Sequence, residues 1–172
     1  IANNSSGPHA VKYGATRDYV LSLEVVLSNG EVIITGPSPL DGKGLGELKN
    51  LEKLEDKIYA AMPDLLKRYR KPMKEEKPYA MKNSSGYDLW RLQGNGLLNL
   101  TSLFVGSEGT LGIISEAKLR LMPLSGKALS GLIYFDNLDH VGMATQKILE
   151  LSPAMLEVIE RQILDLARKQ KT

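Results

Sequence analysis

Leu21, Leu23, Val25 and Leu27 alternate with Ser22, Glu24, Val26 and Ser28, the period-2 pattern of a strand buried on one face. Asn29-Gly30 follows, a pair that tolerates the positive φ angles of a tight type I′ turn. Closing a hairpin there sets Val32 and Ile34 opposite Leu27 and Val25, on the same apolar face. Gly36 to Gly46 is rich in proline and glycine and reads as a loop. Beyond it, Leu48, Leu51, Leu54, Ile58 and Met62 recur three or four apart, which predicts one apolar helix face. Pro63 is expected to stop or kink that helix and to open a second short one over 63–69. Arg68 to Lys77, dense in charge of both signs, reads as a mobile or solvated connection.

The second half repeats this alternation of periods. Lys82-Asn83-Ser84-Ser85-Gly86-Tyr87 is turn-forming. Ile113, Ser115, Ala117, Leu119 and Leu121 then fall on one face of a strand that Met122-Pro123 ends. Ser125-Gly126 reads as a link. After it the pattern predicts a strand over 128–135, then a helix from near Asn137 with Leu138, Val141, Ala144, Ile148 and Leu149 inward. A strand over 155–159 and a helix from Glu160 onward complete a β-α-β-α order, the opening of a second α+β domain. The expected division is therefore 1–125 and 126–172.

Composition narrows the classes. The chain has 172 residues, 42% of them hydrophobic, enough for a real core. Lys+Arg 22 against Asp+Glu 20 leaves +2, too balanced to argue for nucleic acid or an anionic membrane. No apolar run approaches the roughly 20 residues of a membrane-spanning helix. The absence of cysteine excludes disulfides, thiolate metal sites and a Cys nucleophile, and suits a cytoplasmic setting. His9 and His140 lie far apart and make no metal cluster by themselves, so no metal site is expected. The start at Ile1 and the stop within a helical pattern read as a segment of a longer protein.

The chemistry concentrates in 103–114, Leu-Phe-Val-Gly-Ser-Glu-Gly-Thr-Leu-Gly-Ile-Ile. Gly106, Gly109 and Gly112 recur every third residue, so backbone N–H groups there can approach a ligand closely. The spacing fits neither the dinucleotide-binding turn nor the Walker loop. On its own it is a tight turn. Its companions are Ala2-Asn3-Asn4-Ser5-Ser6-Gly7, then Tyr13-Gly14-Ala15-Thr16-Arg17-Asp18-Tyr19-Val20-Leu21, then Gly86-Tyr87-Asp88-Leu89. In this order the motifs resemble the FAD-linked oxidase and dehydrogenase family of the vanillyl-alcohol-oxidase type. The branch they resemble is that of glycolate oxidase (its D-type chain), D-lactate dehydrogenase and D-2-hydroxyglutarate dehydrogenase.

The resemblance implies an α+β fold: the second subdomain of an FAD-binding domain over 1–125, and the start of a cap domain from 126. It implies that the loop meeting the FAD pyrophosphate and the histidine-rich substrate motif lie outside this chain, which would then hold no catalytic residue and little affinity for FAD alone. Asn3, Asn4, Ser5, Ser6 and Gly7 are placed beside the cofactor, as are Glu108, Gly109, Thr110, Leu111, Gly112, Ile113 and Ile114. Glu108 would suit a turn cap or a ribose hydroxyl better than a phosphate, because like charges repel. Tyr13 and Tyr87 could pack on the cofactor or in the core. Arg17 and Asp18 are expected to form a structural pair, His9 to be an ordinary loop residue, His140 to lie at the solvent edge of its helix, and Trp90 to be core. The implied parent oxidises a D-2-hydroxy acid by hydride transfer to flavin N5 and passes electrons to an acceptor, with possible self-association through the half-site. A flavoenzyme of this fold acting on another alcohol, and a non-catalytic interaction domain using Arg68–Lys77, remain as alternatives.

Overall fold

A computed structural model describes residues 1–39, 52–80, 82–123 and 126–170. In chain order its elements are α1 (Ala10–Tyr13), β1 (Val20–Val26), β2 (Val32–Thr35), β3 (Pro37–Pro39), α2 (Leu54–Glu75), β4 (Gln93–Gly94), β5 (Leu97–Asn99), α3 (Thr101–Phe104), β6 (Ile113–Leu119), α4 (Leu138–Glu150) and α5 (Arg161–Lys169). Short 3₁₀ turns stand at Thr16–Asp18 and Leu89–Arg91. The class is α+β. By their contacts the residues divide into two units, Ile1–Ser5 with Ala15–Leu124, and Ser6–Gly14 with Ser125–Thr172.

The first unit is organised around β1, which runs between β2 and β6 in an antiparallel sheet. From Leu23 onward its alternation has the predicted effect: Leu23, Val25 and Leu27 are buried, with Ile33, Leu66, Leu92, Leu98, Leu100, Phe104 and Val105 around them, whereas Leu21, at a slip in the pairing between Val20 and Ser22, is exposed instead of inward. Burial of each such side chain contributes roughly 1.5–3 kcal/mol. The hairpin loop, however, is one residue longer than the Asn29-Gly30 signal suggested. Leu27 and Glu31 face each other across the turn, Glu31 offering its carbonyl to the Leu27 N–H at 2.8 Å. The loop is therefore Ser28-Asn29-Gly30, with the left-handed φ carried by Gly30 alone. One extra loop residue flips the second strand. Ile33 and Thr35 point inward, while Val32 and Ile34 pair with Val26 and Glu24 and lie 56% and 63% exposed.

β6 departs from simple alternation for a related reason. Its pairing with β1 slips between Glu24 and Val25, where Glu24 faces Glu116 and Val25 faces Ile114. The bulge resets the facing residues. Ile114 and Ala117 pack on the core, and Ile113 is 72% exposed instead of inward.

Leu48 and Leu51 lie outside the described residues. From Leu54 onward the helix continues through Pro63 and Pro72 to Glu75, so no break at Pro63 is observed and the expected connection at Arg68–Lys77 is helical as far as Glu75, with Glu76 and Lys77 beyond the helix end. The charged residues of that stretch are solvated, those from Arg68 to Glu75 on a helix. Leu66 is buried, and Ile58, Tyr59, Met62 and Met73 pack against the core on both sides of Pro63, which offsets a cost of about 3 kcal/mol for an interior proline. Both ends are tied down. The Glu31 carboxylate accepts the N–H of Leu54 at 2.9 Å and of Glu55 at 3.3 Å, doing for α2 what its own N-cap does not. These bonds, the Leu54 one first, hold the Glu31 carboxyl below its ordinary range. Near the other end the Trp90 indole donates to the Met73 carbonyl at 2.7 Å, which makes the half-buried Trp90 a helix anchor.

The hairpin of β4 and β5 and the short strand β3, which form a second sheet in the order β3-β5-β4, carried no strand signal strong enough to read. Pro37–Pro39 had the composition of a loop yet pairs with Leu97–Asn99.

In the second unit, α4 starts where expected, with the Asn137 side chain accepting the His140 N–H at 3.0 Å. Helix α5 runs over Arg161–Lys169. The strands expected at 128–135 and 155–159 are not formed. Each is irregular backbone without a partner strand among the described residues, and a lone apolar strand has no ladder to make. His9 sits before α1, its ring nitrogen 3.2 Å from the Ala154 carbonyl, an exposed loop contact.

Gly112 sets the approach of β6 to β1. A Cβ there would lie 2.7 Å from Val25 Cγ1 and 2.8 Å from the Val26 carbonyl oxygen. Gly112→Ala is expected to cost upwards of about 2 kcal/mol in urea unfolding, since backbone cannot yield. Gly109→Ala, with open space but a φ of +81°, should cost about 1–2 kcal/mol. Glu31 gives a pH test. A carboxyl depressed on folding adds stability that is present above its unfolded pKa and lost as pH falls through the folded value. Acidification below the ordinary carboxylate range should weaken the wild type, and Glu31→Gln should flatten part of that slope.

Candidate functional site

The Asn-rich segment, the glycine loop and the Tyr87 turn meet on the first unit. Ile1–Ser5 is laid beside the glycine loop by backbone bonds: Gly106 N–H to the Ile1 carbonyl at 3.3 Å and Glu108 N–H to the Ala2 carbonyl at 2.9 Å. On its other side the segment meets the 3₁₀ turn, where Arg17 N–H donates to Asn4 Oδ1 at 2.9 Å and the Thr16 hydroxyl to the Ser5 carbonyl at 2.5 Å. Ser84 Oγ donates to the Asn4 carbonyl at 3.3 Å. Tyr87 is exposed, and its hydroxyl lies 2.8 Å from Thr110 Oγ1, clasping its turn to the glycine loop.

These contacts sort the expected site residues. Asn3 and Ser5 are exposed, whereas Asn4 is turned inward and is 2% exposed. Ser6 and Gly7 belong to the second unit. Glu108, Gly109 and Thr110 form the exposed tip of the loop. The Glu108 carboxylate caps no turn among the described residues; Thr110 makes that turn, its N–H and hydroxyl both bonding the Ser107 carbonyl, at 3.0 and 2.6 Å. Leu111 is half-buried against the core, Gly112 is filled by β1, Ile114 packs inward and Ile113 lies on the opposite sheet face.

The donors of the loop tell what it can hold. Gly106, Ser107, Glu108 and Thr110 each commit their N–H to a carbonyl of the chain. Among the described residues no hydrogen bond engages the N–H of Gly109 or Leu111. Gly109 has nothing within 4 Å of the place a Cβ would occupy, so a ligand can come up against its backbone. Uncommitted amides at and beside an exposed glycine suit phosphate, carbonyl or ring oxygens of a cofactor. Ser107 was missed in the sequence, although it sits inside the motif. Its side chain is 3% exposed and its hydroxyl has no partner among the described residues, at a cost of about 1–3 kcal/mol that a bound water or ligand would remove. The residues present therefore fit one side of a cofactor site.

An ion-pair ladder stands behind this wall. Arg17 meets Asp88 at 2.7 Å, both largely buried, Arg91 meets Asp88 at 3.4 Å, and Arg91 also bonds Asp18. Arg17 and Asp18 do not form the expected pair with each other. Neighbours in a tight turn point apart, so each finds a partner on the Leu89–Arg91 turn or just before it. Burial raises the Asp18 carboxyl, but the Arg91 bond, the Ala15 N–H and the charges of Arg91 and Arg17 outweigh it and leave it below its ordinary range. Among the described residues no group of three potential metal ligands occurs, and no helix is long and apolar enough to cross a membrane.

Comparison with known proteins bears on this arrangement. Residues 1–36 match the family model described as an FAD binding domain. The chain is 32% identical over 166 residues to glycolate oxidase subunit GlcD of Bacillus subtilis, covering 95% of this chain and 24% of that protein. It is 31% identical over 172 residues to D-2-hydroxyglutarate dehydrogenase of Pantoea ananatis, covering 98% and 16%. It is 30% identical over 166 residues to D-lactate dehydrogenase of Anaerostipes hadrus, covering 95% and 24%. The chain thus spans a quarter or less of the length of these relatives.

Asp88→Ala should leave Arg17 buried without its carboxylate and cost about 3 kcal/mol or more in urea unfolding. Tyr87→Phe, which removes only an exposed hydroxyl contact, should cost under about 1 kcal/mol.

Proposed function

Because this chain belongs to the FAD-linked oxidase and dehydrogenase family, we propose that Asn3–Ser5 and the Gly106–Leu111 loop form one wall of the FAD site in an enzyme that oxidises a D-2-hydroxy acid. The observation that carries the reading is the pair of amides, at the open Gly109 and at Leu111, that no hydrogen bond engages among the described residues, on a loop fixed to the Asn-rich segment. Lactate, glycolate and 2-hydroxyglutarate are the substrates named for the relatives, and a small 2-hydroxy acid is the class they share.

The chemistry supplied by bound FAD is acceptance, at flavin N5, of the hydride on the substrate carbon that bears the hydroxyl. The residues of this chain bind and orient. Gly109 and Leu111 N–H groups would donate to cofactor oxygens, and the close backbone approach would keep water out of that contact. Asn3 and Ser5, exposed on the adjoining segment, would offer further polar groups. No group of this chain is assigned as the base that takes the hydroxyl proton. Binding of the substrate carboxylate and of the other side of the cofactor falls to other parts of the protein, as does delivery of electrons to an acceptor.

The full-length protein should purify with flavin absorbance. Anaerobic addition of D-lactate, glycolate or D-2-hydroxyglutarate should bleach that absorbance, while the L-enantiomers of the chiral acids should not. Flavin reduced only by unrelated alcohols would shift the reading to another enzyme of this fold. A colourless full-length protein that takes up no FAD would overturn it.

A further inference from the structure

Asn4 is held in a conformation that few residues accept, and its position explains why the glycine loop stands where it does. Its φ is +45°, in the left-handed region, where asparagine is several-fold favoured over other non-glycine residues. It is 2% exposed, so its side chain does not reach a cofactor lying on the surface of the wall. Instead it is a junction. Its N–H donates to the Ile1 carbonyl at 2.8 Å, the same carbonyl that receives the Gly106 N–H at 3.3 Å. Its Oδ1 accepts the Arg17 N–H at 2.9 Å, and its carbonyl accepts the Ser84 hydroxyl. Asn4 Cβ also lies 3.3 Å from where a Cβ on Gly106 would stand, a tight contact at a position whose φ of +87° already favours glycine.

We infer that Asn4 is a positioning residue: it sets the height and orientation of the Gly106–Leu111 loop, and so the direction of the Gly109 and Leu111 donors, without touching the cofactor. This rests on the reading of that loop as an FAD wall. The mechanism is geometric. The left-handed turn at Asn4 bends Ile1–Ala2 back over the loop, where their carbonyls take the Gly106 and Glu108 N–H groups. The Oδ1 bond to Arg17 holds that bend against the rigid ladder of Arg17 and Asp88. Both features are needed together, and only asparagine or aspartate supplies the acceptor on a backbone that tolerates the angle.

The substitutions separate the two features. Asn4→Gly keeps the left-handed backbone and removes the acceptor; Asn4→Asp keeps the acceptor; Asn4→Ala loses the acceptor and strains the backbone. Amide hydrogen exchange in the ¹⁵N-labelled chain is the first readout. Asn4→Gly should speed exchange at Gly106, Glu108 and Arg17 by about tenfold or more while leaving Leu23 and Val25 in β1 as in wild type, the mark of a local opening. Asn4→Asp should restore protection. The second readout is FAD affinity of the full-length protein, expected to fall about tenfold in Asn4→Gly and to recover in Asn4→Asp, a rescue that a loss of fold would not show. Wild-type exchange at Gly106 and Glu108 in Asn4→Gly would overturn the inference, as would equal acceleration at Leu23 and Val25. If the exchange pattern appears and the wild type binds no FAD, Asn4 still positions the loop, and it is the assignment of the loop to FAD that falls.

Discussion

The separation between β6 and β1 at Gly112 governs the first unit. The 2.7 Å that would divide a Cβ at this position from Val25 Cγ1 leaves no room for any other residue. Val25 is wholly buried at the centre of the core, so it cannot move aside cheaply. The chain therefore leaves the glycine loop pressed against β1 and enters β6 at once, with the bulge between Glu24 and Val25 taking up the mismatch in register. The loop is in this way mounted on the most rigid strand of the unit. Its tip, from Glu108 to Thr110, is free to face a ligand because its base is not.

A second constraint holds the tip from behind. Left-handed residues at Asn4, Gly106, Glu108 and Gly109 turn the backbone so that carbonyls of Ile1 and Ala2 meet the loop's inner N–H groups and the outer ones remain available. Glycine takes such angles freely, but at Asn4 and Glu108 they store strain, and strained residues of this kind cluster at binding surfaces. The Arg17–Asp88 pair and the Tyr87–Thr110 clasp lock the flanking turns, so the motifs far apart in sequence act as one body.

What could be read from the sequence depended on how local the deciding interaction is. The alternation at Leu23, Val25 and Leu27 identified β1, and the four motifs identified the family, because both are written in short runs of residues. The register of β2 was misread because Asn29-Gly30 serves equally in a two-residue and a three-residue loop, and the choice lies with the sheet. The inward face of β6 was misread because a bulge leaves no mark in hydrophobic periodicity. The continuity of α2 through Pro63 depends on Leu66, Met73, Glu31 and Trp90, which are contacts at long range. The glycines of the proposed site are legible as a motif, whereas the burial of Asn4 and a Ser107 hydroxyl without a partner among the described residues are visible only once the segments are brought together. The strands expected in the second unit were legible as apolar runs, but a strand exists only with a neighbour to pair with.

We propose that Asn3–Ser5 and the glycine loop form one wall of an FAD site, and titration of the ¹⁵N-labelled chain with FAD probes that wall amide by amide. Saturable shifts are expected at the amides of Asn3, Gly109, Thr110 and Leu111, with none on the outer sheet face at Val32 and Ile34. The affinity is expected to be weaker than about 1 μM, because a single wall supplies only part of the charge-assisted bonds a cofactor needs. Shifts confined to other surfaces, or no shift at the glycine loop at saturating FAD, would contradict the proposal.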